Sequence, residues 1–279
     1  MRRAQESSPA SILRKHGVRP RRSLGQNFLD DPGALQAIVA AAEISPTDVV
    51  LEVGTGMGHL TRQLARVAAR VVSVEVDAAL VEISRQALKE ESNVVLLHGD
   101  ILEISPEDLA LPGGYLVAAN IPYYITSAIL RHLLETQSRP RRIVLTVQKE
   151  VALRISASPP NMSLLAVSVQ VYGSVRIVAE IAAEAFHPKP KVNSAVVRID
   201  CFPEAVADGR DMERFFRAAK AGFLQPRKML RNSLAAGLPA APGDVQAILN
   251  AAGIDGRRRA ETLTVAEWLR LGVLLPRSD

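Results

Sequence analysis

One segment decides the predicted fold of this chain: Asp48-Val49-Val50-Leu51-Glu52-Val53-Gly54-Thr55-Gly56-Met57-Gly58. Its apolar first half is typical of a buried strand, and a helix is predicted to begin near His59. Glycines at a strand-to-helix turn let the backbone approach a ligand and adopt dihedrals that a Cβ forbids. The third glycine comes one residue sooner than in the dinucleotide pattern G-x-G-x-x-G. The turn therefore indicates a nucleotide-type site without specifying the ligand.

Acidic residues follow the next two predicted strands. Residues 71–76 carry Glu75 near their end, where a carboxylate can accept both hydroxyls of a ribose. Residues 94–98 are followed by Asp100, which can receive a hydrogen bond from an adenine amine. Alternatively, Glu75 or Asp77 caps the following helix, and Asp100 is a turn residue. The sequence contains no G-x-x-x-x-G-K-[ST], so the predicted ligand is a nucleoside rather than a triphosphate.

A fourth predicted strand, residues 115–119, runs into Asn120-Ile121-Pro122-Tyr123. In an open α/β sheet, ligands bind at the carboxyl ends of the strands. An amide oxygen and backbone carbonyls can accept hydrogen bonds from an exocyclic amine, and a tyrosine ring offers a face to a planar base. The same four residues can also form an ordinary turn. Together with the glycine turn and the two acids, they favour amine chemistry on a nucleobase with S-adenosylmethionine as cofactor.

Further motifs follow one another in a specific order, at residues 25–29, 52–58, 75, 99–100, 120–123, 148–151, 186–194, 227–234 and 259–263. In these motifs the chain resembles the KsgA-type ribosomal RNA adenine dimethyltransferases, from about residue 24 to residue 274. The resemblance implies an α/β fold: a Rossmann-like class I SAM-dependent methyltransferase sheet with a smaller C-terminal helical domain.

The resemblance also implies roles for individual residues. Asn120 and the carbonyls of Ile121 and Pro122 would receive the target N6 amine, and Tyr123 and Phe186 would sandwich the flipped-out base. Such acceptors also stabilise the positive charge that develops on the attacking amine. No strong base is required, because the methylated nitrogen is acidic and can lose its proton to water. The cofactor-binding residues would be Gln26, Asn27, Leu29, Glu52, Gly54, Gly56, Glu75, Asp100, Ile101 and Asn120. No metal is expected, because the five histidines and the single cysteine lack metal-ligand spacing.

Charge is distributed unevenly along the chain. The net charge of +5 divides into +6 for residues 1–25, −5 for residues 26–204 and +4 for residues 205–279. Basic segments can contact the phosphates of a structured RNA, although exposed basic runs are often only solvated. An aromatic content of 4% favours recognition of shape and phosphates over a broad stacking surface. The predicted RNA-binding residues are Arg21, Arg22, Arg227, Lys228, Arg231, Arg257 and Arg258.

Three regions are predicted along the chain. They are a basic N-terminal extension (residues 1–25), a SAM-binding catalytic domain (residues 26–203) and a helical RNA-recognition domain (residues 204–279). Late strands at residues 164–172 and 195–200 are expected to close the sheet as an antiparallel hairpin. Apolar residues at three- and four-residue steps predict helices at residues 212–222, 245–252 and 265–274.

The resemblance implies N6,N6-dimethylation of adjacent adenosines near the 3′ end of small-subunit (16S) ribosomal RNA, in small-subunit biogenesis. Two alternatives stay open. Asn193 and Ile121 look like the related Erm methylases, which modify a large-subunit (23S) adenine, and the same fold can serve as a non-catalytic RNA-binding assembly or transcription factor. Residues 227–234 and 259–263, with Trp268, favour the small-subunit enzymes. The sequence has no secretion signal and no long apolar segment, so a cytoplasmic protein with no membrane contact is expected. The protein is also expected to be a monomer.

Overall fold

The computed structural model describes residues 8–204, 206–239 and 242–276. Within these ranges the chain divides into two compact units. The first unit comprises the residues up to 152 together with 175–201, and the second comprises 153–174 together with the residues from 202 onward. The described part of the predicted N-terminal extension thus belongs to the first unit, whereas residues 1–7 lie outside the described residues. Residues 153–174, expected in the catalytic domain, group with the helical unit.

The first unit contains one large sheet and one small sheet. In the large sheet the strand order is β4-β3-β2-β5-β6-β9-β7, and in the small sheet β1 pairs with β8. Strands β2 to β6 run parallel to their neighbours, and β9 runs antiparallel to β6. Strand order reverses between β2 and β5, which is where ligands bind in sheets of this type. The strands are β1 (Phe28–Leu29), β2 (Val49–Val53), β3 (Arg70–Glu75), β4 (Val94–His98), β5 (Leu116–Asn120), β6 (Arg142–Gln148), β7 (Gly173–Ile181), β8 (Phe186–His187) and β9 (Ser194–Cys201).

Helices connect the strands of the first unit and form most of the second. The α-helices are α1 (Pro9–Lys15), α2 (Pro32–Ala42), α3 (His59–Ala65), α4 (Ala78–Ala87), α5 (Thr126–Leu134), α6 (Lys149–Ile155), α7 (Leu164–Gln170), α8 (Gly209–Gly222), α9 (Leu230–Gly237), α10 (Pro242–Ala251) and α11 (Val265–Leu274). Short 3₁₀ helices lie at Arg22–Leu24, Pro106–Leu109, Tyr123–Ile125, Ala183–Ala185 and Ala260–Thr262. No described helix is long and apolar enough to cross a membrane.

The burial pattern explains why the central strands are apolar along their whole length. Strands β2, β5 and β6 are buried at nearly every position, as expected for parallel strands that are covered on both faces. Ile38 of α2 and Leu64 of α3 pack into one core cluster with Val50 and Leu116 of the sheet. By contrast, β7 alternates between covered and exposed residues, as expected for a strand at the edge of the sheet.

The predicted α/β sheet with a C-terminal helical region is confirmed. One predicted strand is wrong, because residues 164–170 form helix α7. Ser163 caps this helix by accepting a hydrogen bond from the Ala166 amide at 3.1 Å. Ala166 and Val167 are fully buried in the core of the second unit. A short, continuous apolar run does not distinguish a buried helix from a buried strand, and its valines favoured the wrong choice.

The second unit has its own hydrophobic core. Trp268, Phe215 and Leu249 are completely buried there, together with residues of α7. Close helix packing depends on glycine, because a Cβ on Gly222 would lie only 2.3 Å from the ring of Trp268. The three helices predicted from the spacing of apolar residues are confirmed as α8, α10 and α11. Helix α9 was not predicted.

Candidate active site

A cavity opens in the first unit at the carboxyl ends of β2, β3 and β5. It includes nine of the ten predicted cofactor-binding residues, all except Glu52, and also Ile121, Pro122 and Tyr123. Phe186 is not among the residues that line it. The lining residues are 24–29, 35, 53–57, 59–60, 74–76, 80, 99–101, 120–123 and 125.

The glycine turn after β2 forms one wall of the cavity. Gly54, Gly56 and Gly58 have φ values of 82°, 57° and 81°, in the left-handed region that favours glycine. The Gly54 amide donates to the Val74 carbonyl at 2.8 Å, which ties the turn to β3. A Cβ on Gly56 would lie 3.4 Å from the ring of Phe28. The turn therefore passes close to residues 21–29, which we call the N-terminal segment.

Glu75 is fixed at the end of β3 by two backbone hydrogen bonds. The Gly56 amide donates to Oε2 at 2.8 Å and the Asp77 amide donates to Oε1 at 2.9 Å. The residue is only 5% exposed, and burial raises the pKa of its carboxyl group above the usual value. Each oxygen has a second lone pair, so the carboxylate can still accept hydrogen bonds from a ligand in the cavity.

Glu52 lies behind the glycine turn rather than on the cavity wall, so the structure does not bring it to the predicted cofactor position. It is fully buried, and its Oε2 accepts hydrogen bonds from Ser73 at 2.6 Å and Thr61 at 2.7 Å. The Ser73 hydroxyl has only one proton and gives it to Glu52, so Thr55 is the donor in the 2.6 Å Thr55–Ser73 hydrogen bond. A chain of hydroxyl groups thus joins cavity-lining Thr55 to a buried carboxyl group.

The environment of Glu52 keeps its carboxyl group protonated at neutral pH. Burial raises its pKa to about 8, and its Oε1 is buried without a hydrogen-bond partner. A proton on Oε1 leaves Oε2 free to accept from both hydroxyl groups, which is consistent with this arrangement.

Replacing Glu52 with glutamine should remove one component of the pH dependence of stability. The folded-state pKa of about 8 lies above the ordinary value of 4.5, so between about pH 5 and 8 the folded protein holds a proton that the unfolded chain has already largely lost. Over that range the stability of the wild-type protein should fall by about 3 kcal/mol relative to Glu52→Gln, whose amide does not titrate. Urea unfolding of both proteins at pH 5, 6.5 and 8 measures this difference, and parallel profiles would contradict it.

Asn120 is held at the end of β5 by the N-terminal segment. Its Nδ2 donates to the Asn27 carbonyl at 3.1 Å. Because this bond assigns the amide nitrogen, Oδ1 is the acceptor that Asn120 can offer to a ligand. Asn27 in turn donates from its own Nδ2 to the Gly25 carbonyl at 3.0 Å. The anchored amide and the adjacent Ile121 and Pro122 share one wall of the cavity.

The two aromatic residues predicted to stack on a base are in different environments. Tyr123 lines the cavity, and its hydroxyl forms a 2.6 Å hydrogen bond with Ser194 Oγ. Burial raises the pKa of Tyr123, so the phenol stays neutral. Phe186 instead pairs with Leu29 across β8 and β1, is 4% exposed and packs in the same core cluster as Val50 and Leu116 of the sheet. The structure therefore does not bring Phe186 into the predicted sandwich, because the small sheet holds its side chain in the core.

A polar latch holds the N-terminal segment beside the cavity. Gln26 accepts a hydrogen bond from the Arg21 amide at 2.7 Å and donates to Asp77 Oδ2 at 2.9 Å. Arg21 Nε lies 3.5 Å from the same oxygen, and Asp77 Oδ1 caps α4 through the Ala79 amide at 3.0 Å. Gln26 thus acts by fastening this segment, and Asp77 is the helix cap that the sequence analysis left open.

Asp100 lies at the turn after β4 with Ile101. Its Oδ1 accepts a hydrogen bond from the Leu102 amide at 2.9 Å, which fixes the side chain on the cavity wall. Ile101 is 4% exposed and supplies apolar surface beside it. The turn role and the predicted adenine-binding role of Asp100 are compatible, because its other oxygen has no part in the bond to Leu102.

The predicted RNA-binding residues differ in their exposure and in whether their side chains are paired with acidic residues. Arg21 and Arg22 of the first unit and Arg227, Lys228 and Arg231 of the second are exposed. Arg257 is exposed as well, but its guanidinium binds Asp255 at 3.0–3.1 Å. Arg258 is engaged within the protein: its guanidinium donates to Glu267 and to the Thr262 carbonyl, both at 2.6 Å, so it stabilises the fold at the start of α11, and its contact with RNA stays a prediction.

Sequence reasoning gave no functional role to three residues that support the site. Asp77 fastens the N-terminal segment, Ser194 holds the Tyr123 hydroxyl, and Thr55 links the glycine turn to the buried chain. Ser194 is the last residue of the motif at residues 186–194, so its position was marked but its partner could not be identified. Thr55 occupies a position between two glycines to which the glycine motif assigns no particular residue or role.

The chemistry of the cavity wall fits an adenosine cofactor without phosphates. Its charged groups include the carboxylates Glu75 and Asp100, and no Lys or Arg is among the described residues that line it. Such a wall provides acceptors for ribose hydroxyls and an adenine amine, and it suits a positively charged sulfonium better than a phosphate. Within the described ranges, no three His, Cys, Asp or Glu side chains form a group that could hold a metal ion.

Comparison with known proteins agrees with this geometry. A protein from Dehalococcoides mccartyi named ribosomal RNA small subunit methyltransferase A is 43% identical over 261 residues, covering 93% of this chain and 90% of its own. A protein of the same name from Geobacillus kaustophilus is 39% identical over 272 residues, covering 93% and 92%.

Solved structures show the same architecture. The 23S rRNA methyltransferase ErmE superimposes with a TM-score of 0.72 at 30% identity, covering 89% of this chain and 99% of its own. A dimethyladenosine transferase from Plasmodium falciparum gives a TM-score of 0.75 at 24% identity, covering 88% and 95%, and supports the fold. The sequence pattern of the ribosomal RNA adenine dimethylases matches residues 17–275. This chain belongs to the ribosomal RNA adenine dimethylase family.

Proposed function

We propose that this enzyme transfers methyl groups from S-adenosylmethionine to N6 of adjacent adenosines near the 3′ end of small-subunit ribosomal RNA. The observation that carries the proposal is the anchored Asn120, whose amide group shares one cavity with Glu75 and the glycine turn. The relatives named for the small subunit, which match more than nine-tenths of the chain, favour this substrate. A ribosomal RNA substrate agrees with the predicted cytoplasmic location. That the protein acts as a monomer stays a prediction.

The proposed cofactor site uses the two acids and the glycine turn. Glu75 would accept the ribose hydroxyls with the lone pairs that its backbone bonds leave, and Asp100 with Ile101 would hold the adenine. Gly54 and Gly56 would allow close approach of the methionine part, which Gln26, Asn27 and Leu29 would cover. When bound, S-adenosylmethionine supplies an electrophilic methyl group.

The chain's own contribution to the reaction is orientation and charge stabilisation. The lone pair of an adenine N6 is delocalised into the ring and must turn toward the methyl group. Asn120 Oδ1 and the carbonyls of Ile121 and Pro122 would accept from the two N–H groups and hold the nitrogen in that orientation. As the nitrogen becomes positively charged, these fixed oxygens stabilise the transition state more than the ground state. The proton can then leave to water, so the site needs no strong base.

Tyr123 would stack on the flipped-out base. Its neutral phenol is tethered to Ser194, which fixes the ring at little entropic cost when the base arrives. Phe186 would join this stack only after leaving the core position described above.

The main alternative is an Erm-type reaction on a large-subunit adenine. The chain is similar to ErmE, and Asn193 and Ile121 look like the residues of the Erm methylases. Asn193 is engaged inside the first unit, where its Oδ1 accepts from the Ala183 amide at 3.2 Å, so this residue supports a loop and gives no specific reason to prefer the large subunit.

Incubation of unmodified small and large ribosomal subunits with methyl-labelled cofactor tests the proposal. Nucleoside analysis should find dimethyladenosine in small-subunit RNA. Label confined to large-subunit RNA would select the Erm-type reaction, and label in neither would favour a non-catalytic RNA-binding factor.

The basic surface of the second unit should contribute to RNA affinity. Arg227→Glu combined with Lys228→Glu should weaken subunit binding and lower the slope of log affinity against log salt by about 2, because each neutralised phosphate contributes about one. Filter binding at several salt concentrations measures this slope. The matched control is Arg210→Glu with Lys220→Glu, which changes the net charge equally at two other exposed residues of the same unit. Equal losses in both variants would show a general charge effect rather than a binding surface.

A further inference from the structure

Tyr124 is the most exposed large hydrophobic side chain among the described residues. It is 63% exposed, whereas the next most exposed, Leu224, is 57% exposed. It belongs to the 3₁₀ helix Tyr123–Ile125, and the other two residues of that helix line the cavity. The protein thus presents an aromatic ring to solvent at the rim of its active site.

The backbone around Tyr124 holds this ring in place. A Cβ on Gly25 would lie 3.2 Å from Cδ1 and 3.3 Å from Cε1 of the ring, and 3.3 Å from Pro122 Cβ. The bare backbone of Gly25 therefore supports the ring without an intervening side chain. The short helix is fastened by the Thr126 hydroxyl, which donates to the Tyr123 carbonyl at 3.0 Å. A ring supported in this way loses little conformational entropy when a flat ligand covers it.

The surroundings of the ring indicate the class of ligand. The segment that supports it begins with Arg21, whose side chain is 59% exposed, and Arg22, which is also exposed. The Gly25 amide donates to the Arg22 carbonyl at 3.0 Å, so Gly25, which supports the ring, closes a tight turn that begins at a basic residue. An aromatic face beside exposed positive charges is the combination that binds single-stranded nucleic acid, through base stacking and phosphate contacts.

We infer that Tyr124 forms a second nucleotide subsite, which stacks on the base next to the target adenosine. The inference rests on the proposed function and deepens it. Flipping a target base into the cavity removes a stacking partner from its neighbour in the strand, and that loss opposes binding. A fixed ring at the rim replaces the partner. One such ring is consistent with the low aromatic content, because the subsite requires a single face rather than a broad surface.

The test compares wild type with Tyr124→Ala, Tyr124→Phe and Phe202→Ala in single-turnover methylation of unmodified small ribosomal subunits. Subunit concentration is varied with labelled cofactor at saturation, and S-adenosylhomocysteine affinity is measured by calorimetry for each protein. Phe202 is the other exposed aromatic residue in the described part of the chain, at 40%, and lies in the second unit, so its variant controls for loss of an exposed ring. Tyr124→Ala should raise the half-saturating subunit concentration about 5- to 100-fold, the range for loss of one base–aromatic stack.

Tyr124→Phe should behave like wild type, because stacking requires the ring and not the hydroxyl group. Phe202→Ala and all cofactor affinities should stay within twofold of wild type. An unchanged concentration dependence for Tyr124→Ala would overturn the subsite, as would an equal loss in Tyr124→Phe or a parallel loss of cofactor affinity. Each of these results leaves the proposed function standing, since wild type still methylates. Absence of methylation by wild type would refute the proposed function itself, and the subsite with it.

Discussion

Replacing Asn120 with alanine is expected to slow methyl transfer within the enzyme–substrate complex by roughly 30- to 1000-fold. The change removes one of the fixed oxygens that orient the amine and stabilise its developing charge, and loss of such a group costs about 2–4 kcal/mol of barrier. Single-turnover rates at saturating subunits and cofactor isolate this step from binding. An unchanged single-turnover rate would exclude Asn120 from the chemistry.

A second substitution separates the two interactions of Asn120. The amide nitrogen holds the Asn27 carbonyl, and the amide oxygen is the proposed acceptor. Asn120→Asp keeps an acceptor oxygen but loses the donor to Asn27, so it should retain more activity than Asn120→Ala if acceptance from the amine is what matters. Equal losses in the two variants would instead assign the effect to anchoring of the N-terminal segment.

Local sequence patterns predicted five of the seven strands of the large sheet but missed β6 and β7. Strands β2, β3, β4, β5 and β9 and the start of helix α3 lie within one residue of the predicted positions. The first four of these strands are apolar runs that end at Gly, Asp or Asn, a pattern typical of the strands of an α/β fold. The same rule gave the wrong structure at residues 164–172, where a strand was predicted because the run is apolar and rich in valine. Residues 164–170 form a helix that packs in the core of the second unit, and the capping residue Ser163 was the one local signal for a helix.

Site residues were predictable by type, whereas their partners were not. Glu75 and Asp100 lie where strand ends converge, which follows from topology. Glu52 lies in β2, two residues before Gly54, so the sequence places it close to the glycine turn. Only its hydrogen bonds with Ser73 and Thr61 show that its side chain points into the core. The two-residue pairing of β1 with β8 buries Phe186, and such a short pairing has no sequence signature.

The distribution of charge along the sequence identifies basic residues but does not show which of them are already paired within the fold. It identified Arg227 and Lys228 of the second unit, which are exposed, and their contact with RNA stays a prediction. It could not show that Arg258 is already bound to Glu267, nine residues further along the chain. An arginine satisfied in this way stabilises the fold, and its charge is largely cancelled before any phosphate approaches.

Replacing Glu75 with alanine should weaken cofactor binding about 100-fold or more. The substitution removes the proposed partner of the ribose hydroxyls, and hydrogen bonds to a charged group contribute about 1.5–3 kcal/mol each. It also leaves the Gly56 and Asp77 amides without their acceptor in a site where the side chain is only 5% exposed. Calorimetric titration with S-adenosylhomocysteine measures the affinity. Thermal unfolding of the same samples confirms that the variant is folded.

Glutamine at position 75 should not rescue the loss. An amide has the size of the carboxyl group but presents an NH2 to one of the two backbone amides, so it can satisfy only one of them and accepts fewer ligand hydrogen bonds. Glu82→Gln is the matched control, because it removes an exposed carboxylate of α4 that pairs with Arg85 away from the cavity wall. Affinity within threefold of wild type in Glu75→Ala would mean that this carboxylate only braces the glycine turn. The specificity for a ribose would then have to come from Asp100 and the backbone of the turn.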